Sequence, residues 1–123
     1  MVEWLAGNRL RGTNTERVGV TSQATPTKII DGSYTVLTYT ADGKFIPKNS
    51  FNVEYLVVGG GGSGGLGGGG AGGYRTNFGG TALGVTAQSY PITVGAGGVQ
   101  TGGYDGSNNG SDSIFDTITS TGG

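Results

Sequence analysis

The stretch from Gly59 to Gly73 constrains this chain more than any other feature, because 12 of its 15 residues are glycine. Glycine loses more backbone freedom on ordering than any other residue, so an ordered run must recover roughly 1 to 2 kcal/mol per residue from its surroundings. The alternative is a disordered linker. The run directly follows a strand-like segment at 51–58, where a linker seldom begins. We therefore expect a packed glycine structure.

The segment 51–58 alternates in a way that predicts a strand with two different faces. One face carries the larger share of aromatic and β-branched side chains, namely Phe51, Val53, Tyr55 and Val57. The opposite face carries Asn52, Glu54, Leu56 and Val58.

A left-handed polyproline II helix is the packed structure available to a glycine run. It has three residues per turn, a rise of about 3.1 Å per residue and no internal hydrogen bonds, so its N–H and C=O groups need partners on neighbouring segments. A straight run of 15 residues would span about 46 Å, whereas a compact domain of about 100 residues has a radius of gyration of about 13 Å. We therefore expect a fold-back at Ser63 or Leu66. The substitution Gly68→Val is expected to disrupt the packing.

Composition favours an ordered chain with a small core. The 123 residues fit one domain, only 12% of them are charged, and they include six Tyr, four Phe and one Trp, which argues against a solvated disordered chain. The chain has no Cys and no His, so disulfides are excluded and a transition-metal site is not expected. Oligomerisation is the remaining way for so small a core to gain stability.

The charge distribution indicates which partners to expect. The net charge is −1, and Arg75 is the only basic residue from Gly59 onward, so we expect no nucleic acid to bind. The N-terminus lacks a basic region followed by a long apolar one, and no apolar run approaches the roughly 18 residues of a membrane span. We expect synthesis in a cytoplasm and no membrane insertion.

The first 30 residues differ from the rest and hold four of the seven basic residues. Glycine, threonine and asparagine interrupt any long helix in this part of the chain. One interpretation is an irregular, partly frayed terminus. The other is a docking arm, since aromatic residues and arginine dominate interface hot spots. The candidate docking residues are Trp4, Arg9, Arg11 and Arg17.

Residues 31–123 are expected to form a second unit, a glycine-rich β domain that follows the arm at 1–30. Its strand patterns lie at 34–40, 45–46, 51–58, 90–94 and 113–119, and Asp42-Gly43 predicts a hairpin turn. The strands at 51–58, 90–94 and 113–119 are each followed by a glycine-rich stretch. Because the combination of a strand and a glycine-rich stretch occurs three times, we interpret it as a repeated structural element of the domain rather than a single loop.

Five segments carry a family resemblance in their order along the chain: Tyr34–Val36 with Gly43–Phe45, Val53–Gly62, Gly70–Arg75, Tyr90–Gly98 and Gly106–Gly123. From about residue 31 to the end, the sequence resembles the glycine-rich domain of bacteriophage tail fibres and related virion appendages. The resemblance implies an all-β, β-sandwich-like domain with packed polyglycine II helices, preceded here by the irregular N-terminal arm. It also implies a homotrimer.

The resemblance implies a structural protein of a phage virion, a tail fibre or similar appendage that contributes to attachment to a host surface glycan or protein. Such a protein is assembled with other virion proteins in the host cytoplasm and resides in the virion. An alternative is a capsid decoration or head-tail adaptor protein with a purely structural role, and a third is a secreted bacterial adhesin. The receptor-binding loops of the family are not defined by a motif, so no ligand residues are carried over.

The sequence contains only weak motifs for ligand binding or catalysis. Gly62–Gly67 satisfies G-x-G-x-x-G, but the glycines that follow cannot sustain the helix that a dinucleotide site needs. The loop 102–112 offers oxygen ligands for calcium, although turn formation explains the same residues. The tyrosines could stack on sugars, but core and edge packing is their commoner role. No nucleophile with a base, and no paired carboxylates, indicate catalysis, so we expect neither enzymatic activity nor a cofactor or metal.

Overall fold

The computed structural model describes residues 3–5, 9–11, 25–102 and 106–123. In this part of the chain the regular structure consists of twelve short strands and no helix, which confirms the all-β prediction. The strands are β1 (Glu3–Leu5), β2 (Arg9–Arg11), β3 (Thr27–Asp31), β4 (Tyr34–Thr38), β5 (Gly43–Phe45), β6 (Phe51–Val53), β7 (Leu56–Val58), β8 (Tyr74–Thr76), β9 (Leu83–Val85), β10 (Tyr90–Thr93), β11 (Ser113–Phe115) and β12 (Ile118–Ser120).

A small core lies between two layers of antiparallel strands. One layer is the four-stranded sheet β12-β11-β10-β5, and the other consists of the pairs β6–β9 and β7–β8. Both layers contribute to one cluster, whose buried members are Val57, Val85, Tyr90 and Phe115. Its partly buried members are Phe45, Val53, Tyr55, Leu83, Ile92 and Ile118. The arrangement is that of a β-sandwich, in which inward-facing residues of the two layers interdigitate.

The strand character predicted for 51–58 is confirmed by β6 and β7, and the face that carries Val53, Tyr55 and Val57 lies inward, while Phe51 on the same face is 47% exposed. Val57 is buried, the Tyr55 ring lies 6.1 Å from the Phe115 ring, and the Phe51 ring lies 6.3 Å from the Phe45 ring. Edge-to-face pairs at such centroid distances stabilise a core beyond the area that they bury. The structure thus places Val53, Tyr55 and Val57 on the core side of the segment.

The same segment is not one continuous strand, because it changes partner at Glu54-Tyr55. The side chain of Asn77 bridges this break. Its Oδ1 accepts a hydrogen bond from the Tyr55 N–H at 2.8 Å, and its Nδ2 donates to the carbonyls of Val53 at 3.1 Å and Thr81 at 3.2 Å. The side chain of Asn77 thus forms hydrogen bonds with backbone groups that have no strand partner at the break between β6 and β7.

The hairpin predicted at Asp42-Gly43 is wrong. β4 pairs with β3 through a two-residue loop that begins at Gly32, whose φ of 59° suits the first position of a tight hairpin. β5 pairs instead with β10, which is distant in sequence. The Asp42 carboxylate accepts a hydrogen bond from the Val94 N–H at 2.8 Å, so it joins the loop before β5 to the end of β10.

The last predicted strand, 113–119, is a hairpin of β11 and β12 rather than one strand. Its turn is at Asp116-Thr117, where Asp116 has a φ of 54°. Aspartate adopts this left-handed region more readily than most residues, so a strand-like pattern can conceal a turn here. The Asp116 N–H also donates to the Pro91 carbonyl at 2.9 Å, which ties the turn to β10.

The described part of the N-terminal arm contains one short antiparallel pair, β1 with β2. Further along, β3 begins at Thr27, just before the proposed boundary between residues 30 and 31, and its partner β4 lies beyond that boundary. Among the described strands, β3 and β4 contact only each other. The β3–β4 hairpin therefore projects from the sandwich.

Candidate functional site

Five segments, four of them glycine-rich, form a bundle beside the sandwich, and each adjoins a strand directly or through one residue. They are segment I (59–63), segment II (69–73), segment III (95–98), segment IV (108–111) and segment V (121–123). Segment I leaves β7, segment II enters β8, segment III follows β10, segment IV precedes β11, and segment V leaves β12. Every glycine segment is thus held in place by a strand of the sandwich. We call the five segments the glycine bundle.

In segment I, backbone amides that are three residues apart donate hydrogen bonds to the same neighbouring segment. Gly59 and Gly62 donate to carbonyls of segment II, both at 2.8 Å, whereas Gly60 and Ser63 donate to carbonyls of segment IV, both at 2.9 Å. A period of three residues is that of a polyproline II helix, which lacks internal hydrogen bonds and exposes its amides laterally. The prediction of packed polyglycine II helices is confirmed.

Segments III and V complete a ring of neighbours around segment I. The amides of Gly98 and Gly123 donate to carbonyls of segment I at 2.8 and 2.9 Å. Segment V also accepts from Gly73 of segment II at 2.8 Å and from Gly110 of segment IV at 2.7 Å. Segment I is therefore bonded to all four other segments and lies at the centre of the bundle.

Close approach of the backbones explains why the bundle requires glycine. A Cβ at Gly60 would overlap the Ala96 carbonyl, one at Gly69 would overlap the Gly62 carbonyl, and one at Gly62 would lie 2.8 Å from the Gly123 oxygen. The Cα hydrogens occupy these positions and face carbonyl oxygens, as in other close-packed backbones. Substitution at these positions forces the segments apart.

The loop between segments I and II shows where glycine is not needed. The bonded pairs Gly59 with Gly73 and Gly62 with Gly70 are symmetric about Leu66, which confirms Leu66 rather than Ser63 as the fold-back point. A Cβ at Gly68 would meet nothing within 4 Å. The expectation that Gly68→Val disrupts packing is therefore wrong, because Gly68 lies in the open loop and not between segments.

Polar side chains close the end of the bundle next to this loop. The Asn108 N–H donates to Ser63 Oγ at 2.8 Å, and Asn108 Nδ2 donates to the Val99 carbonyl at 2.6 Å. Next to β11 and β12, the Asp112 carboxylate accepts from the Gly122 N–H at 2.9 Å. Asn108 and Asp112 thus satisfy backbone groups, as the turn-forming interpretation of the loop 102–112 expects.

An open cleft of about 440 Å³ lies at this end. Its walls are the fold-back loop, residues 107–109, and the ends of segments I and V. No ionisable side chain is among the lining residues. Backbone groups, two serines and two asparagines make the cleft a polar surface.

Titratable groups in the described ranges offer little chemistry. No cluster of three acidic, histidine or cysteine side chains there could hold a metal ion. Hydrogen bonds from the Thr86 hydroxyl and N–H lower the pKa of the Tyr90 phenol below its ordinary value, while the Tyr90 ring packs at 6.1 Å from both Phe45 and Phe115. Burial raises the pKa of the half-buried Tyr39. Both shifts come from structural contacts.

The tyrosines divide into packed and exposed groups. Tyr55 and Tyr90 pack in the core, Tyr39 is half-buried, Tyr34 and Tyr74 are exposed, and Tyr104 lies outside the described residues. Exposed rings remain available for contact with another molecule. Within the described stretches, no helix has both the length and the apolar character needed to cross a bilayer.

Three of the four candidate docking residues lie on one hairpin. Trp4 is on β1 opposite Leu10, and Arg9 and Arg11 are on β2. Arg17 lies outside the described residues. The backbone thus brings Trp4 close to two arginines, and their docking role stays a prediction.

Two exposed apolar surfaces were missed in the sequence. One belongs to the projecting β3–β4 hairpin, with Ile29, Ile30, Tyr34 and Val36 exposed. The other is the outward face of β7–β8, with Leu56, Val58 and Tyr74 exposed. A signal was present in the sequence, because three successive apolar residues in β7 leave no polar face for solvent.

The comparisons with known proteins agree with this architecture. No curated protein and no solved structure matches the chain. The model of one family, described as a glycine-rich domain, matches residues 38–123. This range contains the whole glycine bundle and every strand of the sandwich, from β5 to β12. The chain therefore belongs to the glycine-rich domain family.

Proposed function

We propose that this protein is a structural component of a bacteriophage virion, a tail fibre or similar appendage that contributes to attachment to the host surface. The observation that carries the proposal is the glycine bundle, in which segment I is hydrogen-bonded to four neighbours. Such a bundle is a rigid support rather than a chemical site. The resemblance of the sequence to virion appendages supplies the biological setting.

The arrangement of strands and loops supports a role in contact. Strands of the sandwich hold the segments, and the fold-back loop and residues 107–109 lie together around the polar cleft at the end of the bundle. Leu66 at the fold-back and Val99 after segment III are exposed. Loops carried on a rigid support can vary without disturbing it, which suits recognition of a host glycan or protein.

The remaining parts of the proposal concern assembly. We propose that the N-terminal residues Trp4, Arg9, Arg11 and Arg17 dock the chain onto other virion proteins, and that three copies assemble into the appendage. A small core, with only Val57, Val85, Tyr90 and Phe115 as buried hydrophobic residues in the described ranges, supports the need for association. Assembly then takes place in the host cytoplasm and the product resides in the virion.

Immunogold electron microscopy of the virus particles tests the proposal. Antibody against this chain is expected to label appendages that project with threefold symmetry, and purified protein is expected to compete with particles for adsorption to host cells. Label spread over many symmetry-related capsid sites, without competition, supports a capsid decoration protein instead. Label at the junction of head and tail supports an adaptor. Absence of the chain from purified particles contradicts all three roles.

A further inference from the structure

The dipeptide Asn109-Gly110 in segment IV has a reactive sequence. Asn109 is followed by a glycine, and no other asparagine of the chain is. When the residue after an asparagine has no Cβ, its backbone nitrogen can reach the carboxamide carbon with little steric hindrance. Asn109 is therefore the asparagine of this chain that is most prone to deamidation through a cyclic imide.

The side chain of Asn109 is accessible to solvent. It is exposed, it lies in the wall of the polar cleft, and its carboxamide forms no hydrogen bond with a described residue. The neighbouring Asn108 differs, because its Nδ2 donates to the Val99 carbonyl at 2.6 Å. Contacts of the Asn109 side chain therefore do not prevent the reaction, and only the geometry of the main chain can.

The glycine bundle holds the main chain on both sides of Asn109. The Gly110 N–H donates to the Gly123 carbonyl at 2.7 Å, and the Asn108 carbonyl accepts from segment I at 2.9 Å. Gly110 also packs so closely that a Cβ on it would overlap the Gly60 carbonyl. Attack on the Asn109 carboxamide requires the Gly110 nitrogen to leave its hydrogen bond and to turn towards Cγ. Close packing in the bundle leaves no room for that rotation.

We propose that Asn109 is a deamidation site that the closed glycine bundle keeps unreactive and that reacts when segment IV is released. Hydroxide from water removes the Gly110 amide proton, and the nitrogen then bonds to Cγ of Asn109. The Cγ–Nδ2 bond breaks, and the leaving nitrogen takes a proton from water and departs as ammonia. A water molecule opens the succinimide at Cγ to give aspartate, or at the main-chain carbonyl carbon to give isoaspartate. The proposal does not depend on the virion role, because it concerns only the chemistry of segment IV.

The isoaspartate product does not fit the bundle. Its main chain runs through Cβ and Cγ of residue 109, so it is longer by one carbon atom, or about 1.5 Å. The shift misaligns two hydrogen bonds of segment IV, from the Gly110 N–H to Gly123 at 2.7 Å and from the Ser111 N–H to Ala96 at 2.8 Å. Because partners in a polyproline II bundle repeat every three residues, sliding the segment by one atom does not restore them. Isoaspartate therefore makes the release of segment IV permanent.

Peptide mapping measures the reaction. The protein is incubated in mildly alkaline buffer, either native or unfolded in guanidinium chloride, and is then digested with trypsin. Arg75 is the last basic residue, so one peptide, 76–123, contains Asn109 together with Asn77 and Asn108 as internal controls. Fragmentation in a mass spectrometer locates the residue at which a carboxyl group has replaced the carboxamide.

In the unfolded chain, Asn109 is expected to deamidate before Asn77 and Asn108. In the native protein its rate is expected to be lower by about tenfold or more, because the reaction has to wait for the bundle to open. Equal rates in the two states would overturn the protection by the bundle. No preference for Asn109 in the unfolded chain would overturn the assignment of the site.

Two glycine variants test whether opening of the bundle controls the rate. Gly60→Ala is expected to accelerate deamidation in the native protein, because its methyl group overlaps the Ala96 carbonyl and loosens the bundle. Gly68→Ala, where a Cβ meets nothing within 4 Å, is the matched control and is expected to leave the rate unchanged. If Gly60→Ala does not fold, Gly61→Ala takes its place. An unchanged rate in the packed variant contradicts control by the bundle.

Asn109→Asp is the control for the effect of the product, since it adds the same charge on a main chain of normal length. Isoaspartate protein is prepared by deamidation in the unfolded state, separated by chromatography and returned to native buffer. It is expected to unfold at a lower urea concentration than Asn109→Asp. Equal stability of the two proteins would show that the bundle accommodates the longer main chain, and the consequence inferred for segment IV would be wrong.

Discussion

Ser113 and Ser120 lie opposite each other across β11 and β12, and both are buried, with exposed fractions of 4% and 2%. Ser113 Oγ accepts a hydrogen bond from the Gly95 N–H at 2.9 Å and so joins the sheet to the start of segment III. Ser120 Oγ has no hydrogen-bond partner among the described residues. Two identical side chains in paired positions therefore contribute differently to stability.

We expect Ser113→Ala to reduce the free energy of unfolding by about 1–3 kcal/mol, because it leaves the Gly95 N–H without its acceptor. Ser120→Ala is expected to be neutral or slightly stabilising, since it removes a buried hydroxyl that makes no hydrogen bond. Urea unfolding of the two variants and the wild type measures the difference. Equal destabilisation by both substitutions would contradict the assignment of partners.

Packed and open glycines are expected to respond oppositely to alanine. Gly60→Ala places a methyl group against the Ala96 carbonyl and is expected to cost about 3 kcal/mol or more. Gly68→Ala meets nothing within 4 Å and is expected to stabilise the protein by about 0.4–1 kcal/mol through the unfolded state. Thermal and urea unfolding provide the measurement.

If the Gly60→Ala variant does not fold, Gly61→Ala can replace it in the comparison with Gly68→Ala. Its Cβ would lie 3.4 Å from the Gly70 oxygen, a tight but tolerable contact, so its cost is expected to fall between the other two. A similar loss of stability at Gly60 and Gly68 would show that these residues act through something other than close packing.

Amide hydrogen exchange should separate bonded glycine amides from the loop. The amides of Gly62, Gly73 and Gly98 donate hydrogen bonds between segments, so they are expected to exchange only when the bundle opens. Gly68, in the fold-back loop, is expected to exchange at nearly the rate of an unstructured peptide. Exchange of all four amides at coil rates in the native protein would be incompatible with an ordered bundle.

The bridge across the break between β6 and β7 gives a further prediction. Asn77→Ala removes the acceptor for the Tyr55 N–H and the donors for the Val53 and Thr81 carbonyls, and is expected to cost about 1–3 kcal/mol. Asn77→Asp keeps the acceptor and loses the donors, so its cost should come from the Val53 and Thr81 side of the bridge. Chemical denaturation compares the variants, and an unaffected Asn77→Ala protein would mean that water replaces the side chain without loss.

Local patterns predicted much of the fold because they depend on near neighbours in the chain. The alternation at 51–58 predicted a strand character that β6 and β7 show, and the length of the glycine run implied the reversal found at Leu66. They failed where a partner is distant or a turn is disguised. Asp42-Gly43 is a good hairpin sequence, yet β5 pairs with β10, and Asp116 adopts a positive φ inside a strand-like pattern.

In the glycine bundle, too, the sequence determined some features and only the tertiary structure decided others. A run of 12 glycines in 15 residues determined by itself that the segment is either a coil or a set of packed helices with three residues per turn, because no other ordered structure suits it. Only the tertiary structure decided which glycines are indispensable. Gly68 and Gly69 are indistinguishable in sequence, but a Cβ would have open space at the first and a carbonyl of segment I at the second. Contact between segments is set by how the strands of the sandwich position them, and a one-dimensional pattern does not contain those distances.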